Sequence, residues 1–262
     1  MTQAIEKDER AIVSEHAKLA PGVRVGAYAV VGDDVELGED CIIYPHAVVG
    51  GPSRFGRANV FHPFSSVGGD PQDLKFHGEA TLLEVGDRNV FREGVTVSRG
   101  TVQGGGVTRI GSDNLFMAGA HIAHDCIVGN STIFANSATL AGHVTVQDFA
   151  TVGAFSPVHQ FCIIGRYSYI GACTVITQDV PPFSRIVTER NTRCYGVNTI
   201  GLERHGFDAT RIQEIERAFR LLLRSKLNTT QALEQMRATR DGSADVAELI
   251  AFIEAAERGI TK

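Results

Sequence analysis

Tryptophan is absent from the 262 residues, methionine occurs only 3 times, and aromatic residues make up 7%. That composition suits a thin, turn-rich fold better than a globule built on large side chains. The 5 cysteines (Cys41, Cys126, Cys162, Cys173, Cys194) are odd in number and lack CxxC spacing. That argues against a disulfide scaffold or a zinc ribbon and for free thiols in a reducing cytoplasm. No apolar run reaches the roughly 18 residues of a membrane span. The opening Met1-Thr2-Gln3-Ala4-Ile5-Glu6-Lys7 has neither the basic start nor the apolar stretch of a signal peptide. Positive charge is also in deficit: 25 Lys and Arg against 30 Asp and Glu leave a net charge of -5 and a pI near 6.0. Nucleic acid is not an expected partner, and an acidic protein partner would need a local basic patch.

Glycine, by contrast, is abundant at 28 residues, and it follows a beat. Stepping by six from Val13 gives Leu19, Val25, Val31, Leu37, Ile43, Val49, Phe55, Phe61 and Val67. The phase returns at Val85, Phe91 and Val97, then runs from Ile110 through Phe116, Ile122, Val128, Phe134, Leu140, Val146, Val152, Val158, Ile164 and Ile170 to Ile176. Glycine often follows directly, as at Gly26, Gly38 and Gly129, and a small or β-branched residue usually sits four places on. Neither a helical period nor strict alternation produces this pattern. It matches the hexapeptide repeat of a parallel β-helix, in which three hexads close a triangular coil of 18 residues. The glycines are expected to serve turns that need positive φ.

Two stretches break the beat, at about 68–84 and 99–109, and are expected to be loops expelled from the prism, where function often resides. The beat is expected to stop at Pro181-Pro182, because consecutive prolines cannot continue a ladder. From about Asp208 helices are expected. Asp208 caps the first, with Ile212, Ile215, Phe219 and Leu222 as its apolar stripe. A second opens at Thr229 or Thr230 and breaks at Asp241-Gly242, and Ser243 caps a third. The expected organisation is a β-helix over residues 1–183 and a connecting segment with a helical domain over 184–262.

An 18-residue coil stacks Asp125 under His143 and His124 under Gly142, and brings His121 and His159 near the same corner. A histidine beside a carboxylate is a competent general base, and a glycine amide one coil away can supply an oxyanion donor. Cys126 and Cys162 fall at the small inner position, so direct attack by a substrate hydroxyl is favoured over a covalent acyl-enzyme. A zinc centre built from the histidines is the sharper alternative.

Seven segments, in order, resemble the UDP-N-acetylglucosamine O-acyltransferase family over nearly the whole chain. They are Gln72-Asp73-Leu74-Lys75, the run Arg99-Gly100-Thr101-Val102-Gln103 with Gly104-Gly105-Gly106, His121-Ile122-Ala123-His124-Asp125-Cys126, Leu140-Ala141-Gly142-His143, Val158-His159-Gln160-Phe161-Cys162, Gln178-Asp179-Val180-Pro181-Pro182, and Gly196-Val197-Asn198 with Gly201-Leu202. The resemblance implies a left-handed parallel β-helix with a C-terminal helical domain. It also implies a cytoplasmic homotrimer whose sites lie in the grooves between prisms, no cofactor and no metal. The substrates implied are UDP-N-acetylglucosamine and a hydroxyacyl group carried by acyl carrier protein, joined in the first step of lipid A synthesis.

By the same resemblance His124 removes the proton of the glucosamine 3-hydroxyl, Asp125 orients His124, and the Gly142 amide steadies the oxyanion. Gln72, Asp73, Lys75, His121, His143, His159 and Gln160 place the sugar, phosphates or acyl group. Asn198 and Arg204 touch the nucleotide, and Ala172 limits acyl length. The chain departs from the family pattern at Gly119, where Asn is familiar, at Ile200, where an acidic residue is common, and at His205, which replaces a second arginine. Ala172 falls where glycine can occur, and its extra methyl favours a shorter chain. Arg217, Arg220 and Arg224 form one basic stripe on the first helix, suited to the acidic carrier protein or simply to solvent. A sister N-acyltransferase, a trimeric zinc lyase and a non-enzymatic solenoid are the competing readings.

Overall fold

The computed structural model describes residues 4–188, 192–239, 243–257 and 259–261. Two-residue strands dominate, as a six-residue repeat with a turn in each hexad requires. Through the repeats each strand pairs in parallel with the strand three further on, and the described residues form three sheets of 11, 8 and 8 strands arranged as the faces of a prism. The chain visits the faces in rotation. In one coil Leu115–Phe116 lies on the first face, His121–Ile122 on the second and Ile127–Val128 on the third. The first strand of each face is Glu6–Lys7, Ile12–Val13 and Lys18–Leu19, so the ladder begins one strand before Val13.

As far as Ile176 the register is 18 residues wherever no loop intervenes: Ile122 pairs with Leu140, Leu140 with Val158, and Val158 with Ile176. The beat residues point inward and form the core. On the first face Phe61, Phe91, Phe116 and Phe134 stack with ring centroids 5.2, 5.0 and 5.0 Å apart. Beside them runs a buried amide ladder that the small-residue rule does not anticipate. Asn89 Nδ2 donates to Asn59 Oδ1 at 3.0 Å, Asn114 Nδ2 to Asn89 Oδ1 at 2.9 Å, and Thr132 Oγ1 to Asn114 Oδ1 at 2.6 Å. Each amide also donates to a glycine carbonyl at the corner, so these interior polar groups are matched.

The expectation for the glycines is corrected. Positive φ falls three places after most beat residues, and the occupants are mostly not glycine: Asp34, Asp40, His46, Phe64, Asp125, His143 and Phe161 all adopt it. The glycines that directly follow beat residues answer a different demand. A Cβ on Gly38 would lie 2.6 Å from the backbone of Gly56 one coil on, so close approach between coils excludes a side chain there.

The two excursions are shorter than the sequence suggests. Val67 pairs with Val97, an offset of 30, and Val97 with Ile122, an offset of 25, so the loops add 12 and 7 residues to the 18-residue coil. Leu82–Val85 and Val107–Ile110 already lie in the ladder and pair with each other. The expected stop at Pro181-Pro182 is also corrected. Ile164 bridges to Val180, and Ile170 pairs with Ile186, an offset of 16, so the first face gains the parallel strand Ser184–Thr188. The prolines sit at the corner before Phe183, which has φ of 64°, where no ladder N–H is needed. Thr192–Val197 then closes this face as an antiparallel strand.

Helices α1 (Thr199–Arg204), α2 (Ala209–Arg224), α3 (Thr229–Thr239) and α4 (Ala244–Ala255) follow. Asp208 and Ser243 cap α2 and α4 as expected, α1 is an addition to the expected set, and Asp241-Gly242 lies outside the described residues. Arg211 ties α2 to α4, its guanidinium donating to the Asp245 carboxylate at 2.9 and 3.0 Å. Replacing Phe116 by alanine is expected to cost about 3–5 kcal/mol, since it deletes the middle of the ring stack. Denaturant unfolding of the variant against the parent measures this, with a loss below 1 kcal/mol (about the scale of a surface change) contradicting it.

Candidate active site at a prism edge

The edge between the second and third faces gathers the chemistry. Asp125 and His143 occupy successive left-handed corner positions, and the His143 N–H donates to the His124 carbonyl at 3.1 Å. The His124 Nδ1–H donates to Asp125 Oδ2 at 2.7 Å, and His143 Nε2 lies 3.7 Å from the same oxygen. The two imidazoles meet edge to face, with centroids 5.3 Å apart. Side-chain exposure is 14% for His124, 1% for Asp125 and 25% for His143, so a buried carboxylate backs two accessible rings. An ionised carboxylate only accepts, so the proton of neutral His124 resides on Nδ1 and the Nε2 lone pair is left free.

Gly142 lies directly over His124. A Cβ at this position would fall 2.7 Å from His124 Cε1, so the ring can pack here only over glycine. Its N–H donates to no group among the described residues.

His121 sits on the strand entering this corner and shares a 2.7 Å hydrogen bond with Thr96 Oγ1 through Nδ1. Burial holds its imidazole below the usual range, and the nearby His124 acts in the same direction. His159 and Gln160 are exposed two coils above His121, with His159 Nδ1 3.1 Å from the Gln160 carbonyl. Phe161 stacks on His143 at 4.6 Å.

The remaining sequence candidates are not drawn into this cluster. Gln72, Asp73 and Lys75 lie on the first excursion, where Asp73 Oδ1 accepts from the Lys75 N–H at 3.0 Å and the adjacent Leu74 is 100% exposed. Asn198 and Arg204 line a separate cleft of about 490 Å³ with Tyr169, Arg185, Ile200 and His205. The Asn198 amide is engaged there, accepting from the Gly201 N–H at 3.3 Å and donating to the Tyr167 carbonyl at 3.1 Å. His205 packs against Phe149 and Tyr167. Ala172 is exposed at the opposite edge of the second face.

One residue at the centre of the cluster escapes the sequence reading. Thr101 donates to both oxygens of Asp125; the sequence places it in a loop that breaks the beat and in a segment that resembles the family, but neither signal gave it a role. The metal alternative has a geometric basis, because one atom each of His124, Asp125 and His143 lies within 4.8 Å of the others. Asp125 Oδ2, however, already accepts from Thr101 and His124.

A prism of this kind with a histidine–carboxylate pair on its edge belongs among the hexapeptide-repeat transferases. Residues 16–51 and 108–142 match the family described as bacterial transferase hexapeptide (six repeats), and residues 179–261 match Udp N-acetylglucosamine O-acyltransferase, domain 2. A protein of Stenotrophomonas maltophilia named acyl-[acyl-carrier-protein]--UDP-N-acetylglucosamine O-acyltransferase is 47% identical over 252 residues, covering 96% of each chain. A protein of the same name from Alkalilimnicola ehrlichii is 48% identical over 255 residues, covering 97% of this chain and 98% of its own. The solved structure of LpxA from Acinetobacter baumannii superimposes with a TM-score of 0.93 at 40% identity, covering 98% of this chain and 99% of that one. The chain belongs to the acyl-[acyl-carrier-protein]--UDP-N-acetylglucosamine O-acyltransferase family.

The thiol of Cys126 is buried, donates to the Ala141 carbonyl at 3.2 Å, and is pushed up to about 12 by desolvation. Alkylation of the native protein at neutral pH is therefore expected to label the exposed Cys173 and spare Cys126, as peptide mass mapping would show. Rapid labelling of Cys126 would contradict its placement as core.

Proposed function

We propose that this chain transfers a 3-hydroxyacyl group from acyl carrier protein to the glucosamine 3-hydroxyl of UDP-N-acetylglucosamine, the opening step of lipid A synthesis. The observation that carries the reading is the His124–Asp125 pair set beneath the Gly142 N–H. His124 Nε2 takes the proton of the sugar hydroxyl as its oxygen attacks the thioester carbonyl. The Gly142 N–H donates to the developing oxyanion. Collapse breaks the C–S bond, and the imidazolium returns its proton to the departing thiolate of the carrier. Asp125 stabilises the transient imidazolium and fixes its tautomer. The neutral, buried thiol of Cys126 supports direct transfer over an acyl-enzyme.

His121, His143, His159 and Gln160 are the proposed contacts to sugar and acyl group, Gln72, Asp73 and Lys75 to phosphate and sugar, and Asn198 and Arg204 to the nucleotide. The site lies on an outer edge of the prism, where Phe161 and Ile127 are exposed. We therefore read the working form as a cytoplasmic homotrimer, in which a neighbouring copy walls the edge and brings its own loop and cleft residues to it. The exposed stripe of Arg217, Arg220 and Arg224 on α2 suits the acidic carrier. The nucleotide contacts differ from the family pattern at Ile200 and His205, and His205 supplies ring packing where an arginine would supply charge.

Assay with UDP-N-acetylglucosamine and 3-hydroxyacyl carrier proteins is expected to show transfer, and His124→Ala to lose about 10²–10⁴-fold in kcat. Activity retained by that variant would remove the general base from the scheme. Charge reversal, Arg220→Glu, is expected to raise KM for the carrier protein at low salt, with the difference shrinking as ionic strength rises. Ala172→Gly is expected to shift donor preference toward longer acyl chains in a graded-length assay, and an unchanged preference would exclude Ala172 from length selection.

A further inference from the structure

The second excursion lies across the proposed catalytic carboxylate, and two of its hydrogen bonds end on that carboxylate. Thr101 is buried, and its N–H donates to Asp125 Oδ1 at 2.7 Å while its hydroxyl donates to Oδ2 at 2.7 Å. The same hydroxyl oxygen accepts from the Gly104 N–H at 3.2 Å, which closes the single 3₁₀ turn Val102–Gly104 beneath it. Gly104 has no room for a side chain, because a Cβ there would overlap the Asp125 carboxylate. From the other side, the Asp125 N–H donates to Thr108 Oγ1 at 2.8 Å. Arg99 pins the base of this loop, donating to the Gly68 carbonyl at 3.1 Å and pairing with Asp70 on the first excursion.

We propose that Thr101 is a positioning residue for the acyl transfer, assigning the Asp125 carboxylate to His124 rather than to His143. This rests on the reading of His124 as general base. The carboxylate has two imidazoles within reach, His124 Nδ1 at 2.7 Å and His143 Nε2 at 3.7 Å from the same oxygen. The backbone alone does not choose between them, since a carboxylate turns freely about χ2. Thr101 removes that freedom by holding both oxygens at once, so Oδ2 faces Nδ1 and the Nε2 lone pair of His124 faces outward. The titratable groups facing His124 are Asp125 beside it, His143 one coil above and His121 on the strand before it.

Thr101→Val keeps the shape and loses the hydroxyl. It is expected to lower kcat about tenfold or more, the scale of one hydrogen bond to a charged group, with KM for both substrates unchanged. Freed to turn toward His143, the carboxylate no longer supports charge on His124. The acid limb of the kcat profile and the NMR titration midpoint of the His124 ring both move to lower pH. Thr101→Ser, which restores the hydroxyl, is expected to return both to the parent values. Gly104→Ala presses a methyl on the same carboxylate and is expected to give the valine variant's signature, so the idea stays testable if valine impairs folding. Parent kcat in Thr101→Val, a loss that serine does not restore, or an unmoved titration in both the valine and alanine variants would overturn it. The ring titration needs no turnover, so it judges the clamp separately from His124→Ala, which judges the general-base reading.

Discussion

Everything described depends on the hydrogen bonds by which one coil rests on the next at a fixed offset. These bonds run along the faces and also through the corners, as where the His143 N–H meets the carbonyl of His124. Side chains in a strand alternate between inside and outside, so a slip of one residue would exchange Ile122 for His121 in the core. The prism cannot slip that way without burying polar rings and exposing its aliphatic filling. The burial of the beat residues thus fixes the vertical neighbours, and the vertical neighbours make the site.

Much of this was legible because the repeat is written in residue type. A core aliphatic every sixth place announces the coil, and adding 18 to Asp125 and His124 gives His143 and Gly142, which the structure places where the arithmetic does. What was not legible lies where the chain leaves the repeat. Thr101 reaches Asp125 from an excursion of 7 extra residues, and no period relates the two. The strand after Pro181-Pro182 was hidden because proline excludes a ladder position, and only the shortened 16-residue offset reveals that the prolines fall at a corner instead. Helix α1 is capped by Asn198, which the sequence offered as a ligand contact rather than as a cap.

Glycine illustrates how one residue type serves separate ends. At Gly22, Gly94 and Gly119 it takes the left-handed corner that aspartate, histidine or phenylalanine takes elsewhere. At Gly38 it permits two backbones to approach. At Gly142 and Gly104 the missing side chain leaves room for a neighbouring side chain, the His124 imidazole in one case and the Asp125 carboxylate in the other. The corner that tolerates αL with a polar side chain is also what lets Asp125 and His143 stand side by side, since short polar residues accept that conformation at modest cost.

The two ends of the prism are built differently. The upper end is sealed on the first face by the reversed strand Thr192–Val197, and Ile260 returns to bridge Asp179. At the lower end, Glu6–Lys7, Ile12–Val13 and Lys18–Leu19 each have a strand partner on one side only among the described residues. A strand edge is a template on which another stack of coils could grow into a filament. Here the rim offers only two-residue edges, and two of the three carry ionic side chains. Brevity and charge together make these edges poor seeds for pairing with another stack.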